Sequence, residues 1–292
     1  MIELRPGTPA ELPAQRVLWQ QVFGDSDLFI DCFYESCARA EDMMVLLEDG
    51  VLRSMLALLP LGLTLPDGGS ADAYYIYALA TDPNARKQGF AQQLLNYVDF
   101  YLQERGADCV TVVPAEAGLH RFFAMAGFGE GFATRKLELP AAQVLPPQAG
   151  DSIAPIGPEE YGAIRCRALS ATPHAVYPPA LLAFQAKASA LEGGGLYRIL
   201  AGGQEGCAAV EPCDRDSLVL KELVIAPEVM AAALAQVGGL FPAARYHVRT
   251  PALWDGLPGS YRQEFAMVKW YREEKRLRWG EELSGYFGLG FD

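Results

Sequence analysis

Histidine is scarce in this chain, with three in 292 residues beside six cysteines. None of Cys32, Cys37, Cys109, Cys166, Cys207 and Cys213 forms a Cys-x-x-Cys pair, and so few histidines cannot complete a ligand set. Zinc and a disulfide framework both lack support, no metal is expected, and reduced, mostly buried thiols are. No apolar run reaches the roughly 18 residues that a membrane-spanning helix needs. Met1-Ile2-Glu3-Leu4-Arg5-Pro6 has neither the basic nor the long apolar segment of a signal peptide. The expectation is a cytoplasmic protein with no membrane partner. Basic excess is also absent: Lys and Arg total 24 against 36 Asp and Glu, a net charge of −12. That balance repels phosphate backbones and argues against nucleic acid as a partner, while it suits a cationic substrate or simply a soluble surface. Two nucleotide-binding patterns are missing as well: Gly-x-x-x-x-Gly-Lys-Ser/Thr, and Gly-x-Gly-x-x-Gly after a strand.

What is present is enough apolar material for full cores, 51% of residues, over a length that fits two domains. Ile2 to Leu4 reads as a strand. Thr8, Pro9 and Glu11 form a capping-box start to a helix that closes near Gly24. A second helix spans about 26–38, and a strand at 43–47 turns at Glu48-Asp49-Gly50 into a long strand, 51–65. Tyr74 to Thr81 is an apolar strand. Ala91, Leu94, Leu95, Val98 and Leu102 recur at helical spacing, and Gly106 is placed to end that helix. Cys109 to Val113 is a buried strand, Leu119 to Ala126 a short helix before Gly127, and Ala133 to Leu139 a further strand.

Residues 140–157 are rich in Pro, Ala, Gln and Gly and read as a linker. Much the same order follows: a strand at Ile153, helices at 158–169 and 179–191, and a hairpin across Gly202-Gly203. A strand at 217–225, an Ala-rich helix at 229–237 and strands at 245–249 and 265–271 complete it. The last residues, Tyr286 to Asp292, are apolar and Gly-rich, a tail expected to pack rather than dangle. The repeated order points to a tandem duplication: domain 1–139, linker 140–157 and domain 158–292.

The chemistry concentrates at Leu79-Ala80-Thr81-Asp82-Pro83-Asn84-Ala85-Arg86-Lys87-Gln88-Gly89-Phe90-Ala91. An apolar strand runs through an Asp-Pro turn into Arg86-x-x-Gly89-x-Ala91 and then a helix. Small residues at 89 and 91 let a ligand approach the backbone closely. The first helical amides lack intrahelical acceptors and sit at the positive end of the helix dipole, which makes an anion site. A pyrophosphate fits against the amides of about Lys87 to Gln92, with Arg86 and Lys87 adding charge.

With that loop the sequence resembles the GNAT superfamily of acyl-CoA N-acyltransferases. The likeness covers residues 1–139 in element order. It is sharpest at Arg86 to Ala91 and at Leu119-His120-Arg121-Phe122-Phe123-Ala124-Met125-Ala126-Gly127-Phe128. The two-domain length looks like the bacterial tandem-GNAT group that includes relatives of the enhanced-intracellular-survival acetyltransferases. The resemblance implies an α/β (α+β) fold of two tandem GNAT-like domains, each a mixed, mostly antiparallel sheet flanked by helices. It implies acetyl-CoA as acyl donor, a small-molecule or peptide amine as acceptor, and compatibility with a homo-oligomer. Leu79, Ala80 and Thr81 would bond the pantetheine arm through their backbone, where the strand splays. Arg86, Lys87, Gln88, Gly89, Phe90, Ala91 and Gln92 would hold the pyrophosphate. The second half has Ala226-Pro227-Glu228-Val229 where this loop would be, so a degenerate second domain and one cofactor site per chain are expected.

Amine acetylation needs a base for the amine and benefits from an acid for the leaving thiolate. Many GNATs carry a Tyr on the short helix before Gly-Phe. Here Phe123 stands there, which puts that role in doubt, and His120 lies about one turn earlier. Glu116, after the buried strand, is a candidate base. Tyr77 can order a water, since the cofactor strand carries no carboxylate. Asp292 and the terminal carboxylate are a further candidate, by likeness to the enhanced-survival relatives. Each of these also fits a packing or solvated role. An aminoacyltransferase using charged tRNA conflicts with the −12 charge and the intact loop. A non-catalytic acyl-CoA sensor or interaction protein stays open because of Phe123.

Overall fold

The computed structural model describes residues 1–280 and 284–291. Its strands are β1 (Ile2–Pro6), β2 (Met43–Glu48), β3 (Val51–Thr64), β4 (Ser70–Thr81), β5 (Cys109–Val112), β6 (Gly129–Pro140), β7 (Ser152–Pro155), β8 (His174–Val176), β9 (Gly195–Ala201), β10 (Gln204–Pro212), β11 (Ser217–Val224), β12 (Arg245–Pro251) and β13 (Tyr261–Trp270). Its helices are α1 (Leu12–Phe23), α2 (Asp27–Ser36), α3 (Phe90–Glu104), α4 (Ala117–Met125), α5 (Pro158–Ala168), α6 (Pro179–Leu191), α7 (Met230–Leu240) and α8 (Glu273–Trp279). Among the described residues no helix is long and apolar enough to cross a membrane.

Two compact units share the chain, and they do not follow its halves. The first comprises residues 1–62, 71–129 and 267–278; the second comprises 63–70, 130–266 and 279–292. In the first, the neighbours run β1-β2-β3-β4-β5. β4 and β5 are parallel, and β5 takes the end of β13 as its antiparallel partner, Met267 opposite Val112 through Trp270 opposite Cys109. In the second, the neighbours run β7-β9-β10-β11-β12. β11 and β12 are parallel, and β12 takes β6 as its antiparallel partner, Arg245 opposite Pro140 through Pro251 opposite Thr134. The strand order thus repeats, but each run of strands is completed by a strand from the other half of the sequence. A periodicity read along the chain identifies β6 and β13 as strands and cannot show that exchange, because their partners lie more than a hundred residues away.

Local signals act as the sequence suggests. Glu11 accepts the Thr8 N–H at 2.6 Å and its hydroxyl at 2.7 Å, and pairs with Arg5 at 2.9 Å. The Arg5 bond first, against the cost of burial, with Thr8 helping, holds the Glu11 carboxyl down at about 2. Ser26 accepts the Phe29 N–H and caps α2. In the first unit Leu94, Leu95, Val98 and Leu102 of α3 pack with Phe123 and Phe128 on Leu56, Ile76 and Val110. In the second, Met230, Ala233, Leu234 and Val237 of α7 pack on Leu220, Leu223, Tyr246 and Val248.

The second unit holds a buried ion pair. Glu222 on β11 accepts from Arg165 Nε at 2.8 Å and from the Tyr161 hydroxyl at 2.6 Å. Arg165 also donates to the carbonyls of Ala175 and Phe287. Burial first, then the Glu222 carboxylate, pushes the Tyr161 and Tyr286 hydroxyls well above their ordinary range. The tail docks on this pair. Tyr177 donates to the carbonyls of Phe287 at 2.6 Å and Leu289 at 2.7 Å, and the Phe291 ring stacks on Phe184. Gly288 sits at φ +81, and a Cβ there would lie 2.1 Å from Glu222 Oε2, so only glycine lets the tail pass.

Arg165→Met leaves Glu222 buried without its counter-charge and is expected to cost about 3–5 kcal/mol, read as a lowered urea midpoint. A second expectation concerns pH. Burial, then the Arg165 charge, holds the His174 imidazole down at about 4, against an ordinary value of 6.5. Below pH 6.5 the unfolded chain takes up a proton that the folded chain refuses, so stability falls as pH drops from 6.5 toward 4. His174→Gln should flatten the urea-midpoint slope in that window.

Candidate acyl-CoA site

All but one of the site residues singled out in the sequence belong to the first unit; Asp292 lies outside the described residues. The site starts from a fault in β4. Ala78 has φ +51, a left-handed conformation that a non-glycine residue seldom adopts inside a strand. Side-chain alternation slips there. Tyr74 and Ile76 face the α3 core, and the next residue to do so is Leu79. A one-residue slip of this kind is a β-bulge, which bends a strand and ends pairing. Pairing with β5 stops at Ile76 opposite Val112. β5 therefore leaves the edge of β4 at 79–81 uncovered.

β3 secures the far side of this segment. The Ser54 hydroxyl, fully buried, donates to the Ala80 carbonyl at 2.8 Å and lies 3.0 Å from Thr81 Oγ1. One residue earlier, the Arg53 carbonyl accepts the Asp82 N–H at 2.8 Å. Asp82 then accepts the Asn84 N–H at 2.9 Å and fixes the turn into the loop.

In that loop Arg86, Lys87, Gln88 and Gly89 are exposed. Lys87 has φ +64 and Gly89 φ +80, so the chain turns through two left-handed residues before α3 begins at Phe90. The first bond of the helical ladder runs from the Gln93 N–H to the Gly89 carbonyl. The amides of Phe90, Ala91 and Gln92 thus have no helical acceptor behind them. These amides, at the positive helix end beside the Arg86 and Lys87 cations, have the chemistry to receive an anion.

The acid-base candidates are spread over two elements. Glu116 is the exposed N-cap of α4, and His120 sits half-buried one turn on. Phe123 turns into the core against Phe122 and Phe128 and is a packing residue. Tyr77 stands with Tyr75 on the opposite face of β4, its ring 5.8 Å from both Tyr75 and Trp19 and 5.5 Å from Phe33. α1 and α2 supply the Trp19 and Phe33 rings. No sequence pattern marks this aromatic wall, because its rings come from three separate elements. Burial pushes the Cys109 thiol well above its ordinary range, so it is a packing group.

The second unit lacks the loop. Pro227–Val229 forms a single 3-10 turn straight into α7, with Glu228 exposed at its first turn. β10 and β11 do share a register shift at Ala209/Val210, so β11 carries an irregularity of its own before its end.

Comparison with known proteins bears on the fold. Residues 3–129 match the family model described as the acetyltransferase (GNAT) domain. A GCN5-related N-acetyltransferase from Anabaena variabilis superposes with a TM-score of 0.75 at 15% identity, covering 95% of this chain and 74% of that one. Eis1 from Mycobacterium abscessus gives 0.66 at 15% identity over 92% and 73%. A tandem GNAT protein from the clavulanic acid biosynthesis pathway gives 0.57 at 14% identity over 92% and 98%. Among curated protein sequences there is no match. The chain has the fold of these tandem GNAT proteins, and residues 3–129 resemble the GNAT acetyltransferase domain.

Gly89→Ala tests the left-handed turn. A Cβ at this position meets nothing closer than Gln93 Nε2 at 4.0 Å, so the penalty is one of backbone alone. The variant should fold with a loss of about 1–2 kcal/mol, seen as a modest drop in melting temperature.

Proposed function

We propose that this protein is an N-acetyltransferase that moves the acetyl group of acetyl-CoA to a primary amine by direct attack in a ternary complex. The observation that carries the reading is the continuity of two features: an uncovered strand edge at 79–81 that leads, through one capped turn, into free helical amides at 90–92. An acyl-CoA is a molecule with those two parts in that order, a pantetheine arm with two amides and a pyrophosphate. The arm can pair along the strand edge as a further strand would, while the pyrophosphate meets the amides and the Arg86 and Lys87 side chains.

The reaction balances simply. The neutral amine nitrogen bonds to the thioester carbon, the C–S bond breaks, the thiolate leaves with the electron pair, and the amine loses one proton. Holding the amine and the thioester together supplies much of the rate. Glu116 and His120, adjacent turns of one short helix, are the groups assigned to the proton; Tyr77 orders the acceptor side. With Phe123 packed in the core, no phenol stands at that position to protonate the thiolate, and His120 or solvent fills that role.

A second reading is a non-catalytic acyl-CoA-binding sensor or interaction protein. The specific observation in its favour is the same Phe123, together with a β4 that bears no carboxylate facing the aromatic wall.

Isothermal titration with acetyl-CoA separates the two when paired with a free-thiol assay over a panel of amines. One molecule bound per chain, abolished by Gly89→Glu and untouched by Glu228→Ala, supports the cofactor site, because a carboxylate side chain at 89 repels the pyrophosphate. Unchanged affinity in Gly89→Glu overturns the site. Binding with no thiol release on any amine moves the sensor reading to the front.

A further inference from the structure

The loop from Asp82 to Gln92 carries one acidic residue, Asp82, beside Arg86 and Lys87. A carboxylate is an odd choice next to an anion site. Its cap explains why it is there: Asp82 Oδ1 accepts both the Asn84 N–H at 2.9 Å and the Asn84 side-chain amide at 3.3 Å. The same carboxylate is matched from β3, where Arg53 Nη1 lies 3.0 Å from Asp82 Oδ2 and Arg53 Nε lies 3.1 Å from Glu48 Oε2. Both partners of the Arg53–Asp82 pair are largely covered, with side chains 28% and 17% exposed, so solvent screens the contact only in part. Arg53 also accepts the Asp82 N–H through its carbonyl, and its neighbour Ser54 holds the end of β4.

We propose that Arg53 is a positioning residue for the cofactor: it cancels the Asp82 charge that the loop needs as a cap and that otherwise opposes the pyrophosphate. The inference rests on the reading that residues 86–92 hold an acyl-CoA. Arg53 touches no part of the ligand in this account. It acts through Asp82, by keeping the cap oriented and by leaving Arg86, Lys87 and the helix end as the field that the pyrophosphate meets. Without Arg53, Asp82 is an uncompensated carboxylate at the start of the loop.

The test is a double-mutant cycle read in acetyl-CoA affinity. Arg53→Met is expected to bind about tenfold more weakly, equivalent to about 1.4 kcal/mol, the order expected of one uncompensated charge several ångströms away. Asp82→Asn keeps an acceptor for the Asn84 N–H and is expected to bind as well as the parent or better. The combined variant should recover to within about twofold of Asp82→Asn, because the charge that Arg53 balances is gone. The Arg53→Met deficit should also shrink as salt is raised, since screening weakens repulsion and does not repair a displaced loop. Arg53→Lys should retain most of the affinity. A clamp that is merely structural gives the opposite pattern: the double variant binds more weakly than either single one, the deficit ignores salt, and the charge-balancing role is overturned. Equal affinity in the parent and Arg53→Met also overturns it. A parent protein that binds no acetyl-CoA at all instead overturns the reading of the loop on which the inference stands.

Discussion

Backbone hydrogen bonding is the constraint on which this architecture turns. A strand inside a sheet must spend its donors and acceptors on both neighbours, and a strand that does so has none left for a ligand. β4 satisfies that demand against β5 only as far as Ile76. Ala78 then adopts φ +51 and the pairing ends. The conformation costs on the order of 1–2 kcal/mol in a non-glycine residue, and it persists because β3 holds the far side through Ser54 and Arg53. The cost of the bulge and the exposed edge are one event, and the site follows from it.

The second unit meets the same constraint and resolves it differently. Its strand order repeats that of the first, with the parallel pair in the same place. No left-handed glycine loop precedes α7, and an acidic residue, Glu228, stands in the turn before it. Its polar content has been turned inward: Glu222 is fully buried, and its Oε1 accepts from Arg165 and Tyr161. The tail closes over the pair and spends the remaining Arg165 and Tyr177 donors on its own carbonyls. A buried pair of this kind adds little net stability over apolar packing, but removing one partner is costly. It therefore fixes where the tail goes more than it strengthens the unit.

Much of the first unit was legible because its signals are local. The Thr8–Glu11 box, the Asp49-Gly50 turn, the helical spacing of Leu94 to Leu102 and the Arg86-x-x-Gly89-x-Ala91 loop all act within a few residues of themselves. Ala78 was not legible, since alanine carries no mark of a positive φ. Nor was the Arg53–Asp82 pair, whose members stand 29 apart in sequence. The tail showed that it packs, from its Phe and Gly content, but its receptor is built from α5, α6, β8 and β11 and no sequence pattern names it. The strand exchange escaped for the same reason. β6 and β13 have equivalent patterns, and each fits either sheet until the partners are seen.

One apparent conflict is resolved by distance. The chain carries a net charge of −12, while the proposed donor carries several negative charges of its own. At physiological ionic strength the Debye length is about 8 Å, so carboxylates scattered over the far surface are largely screened from the loop. What the pyrophosphate meets is local: the amides of Phe90, Ala91 and Gln92, the exposed Arg86 and Lys87, and a single carboxylate that Arg53 already holds. The wider acidic surface then acts mainly on the other substrate. In the proposed reaction that surface would draw a protonated amine toward the protein, and the same attraction would have to be overcome when the amine gives up its proton to attack.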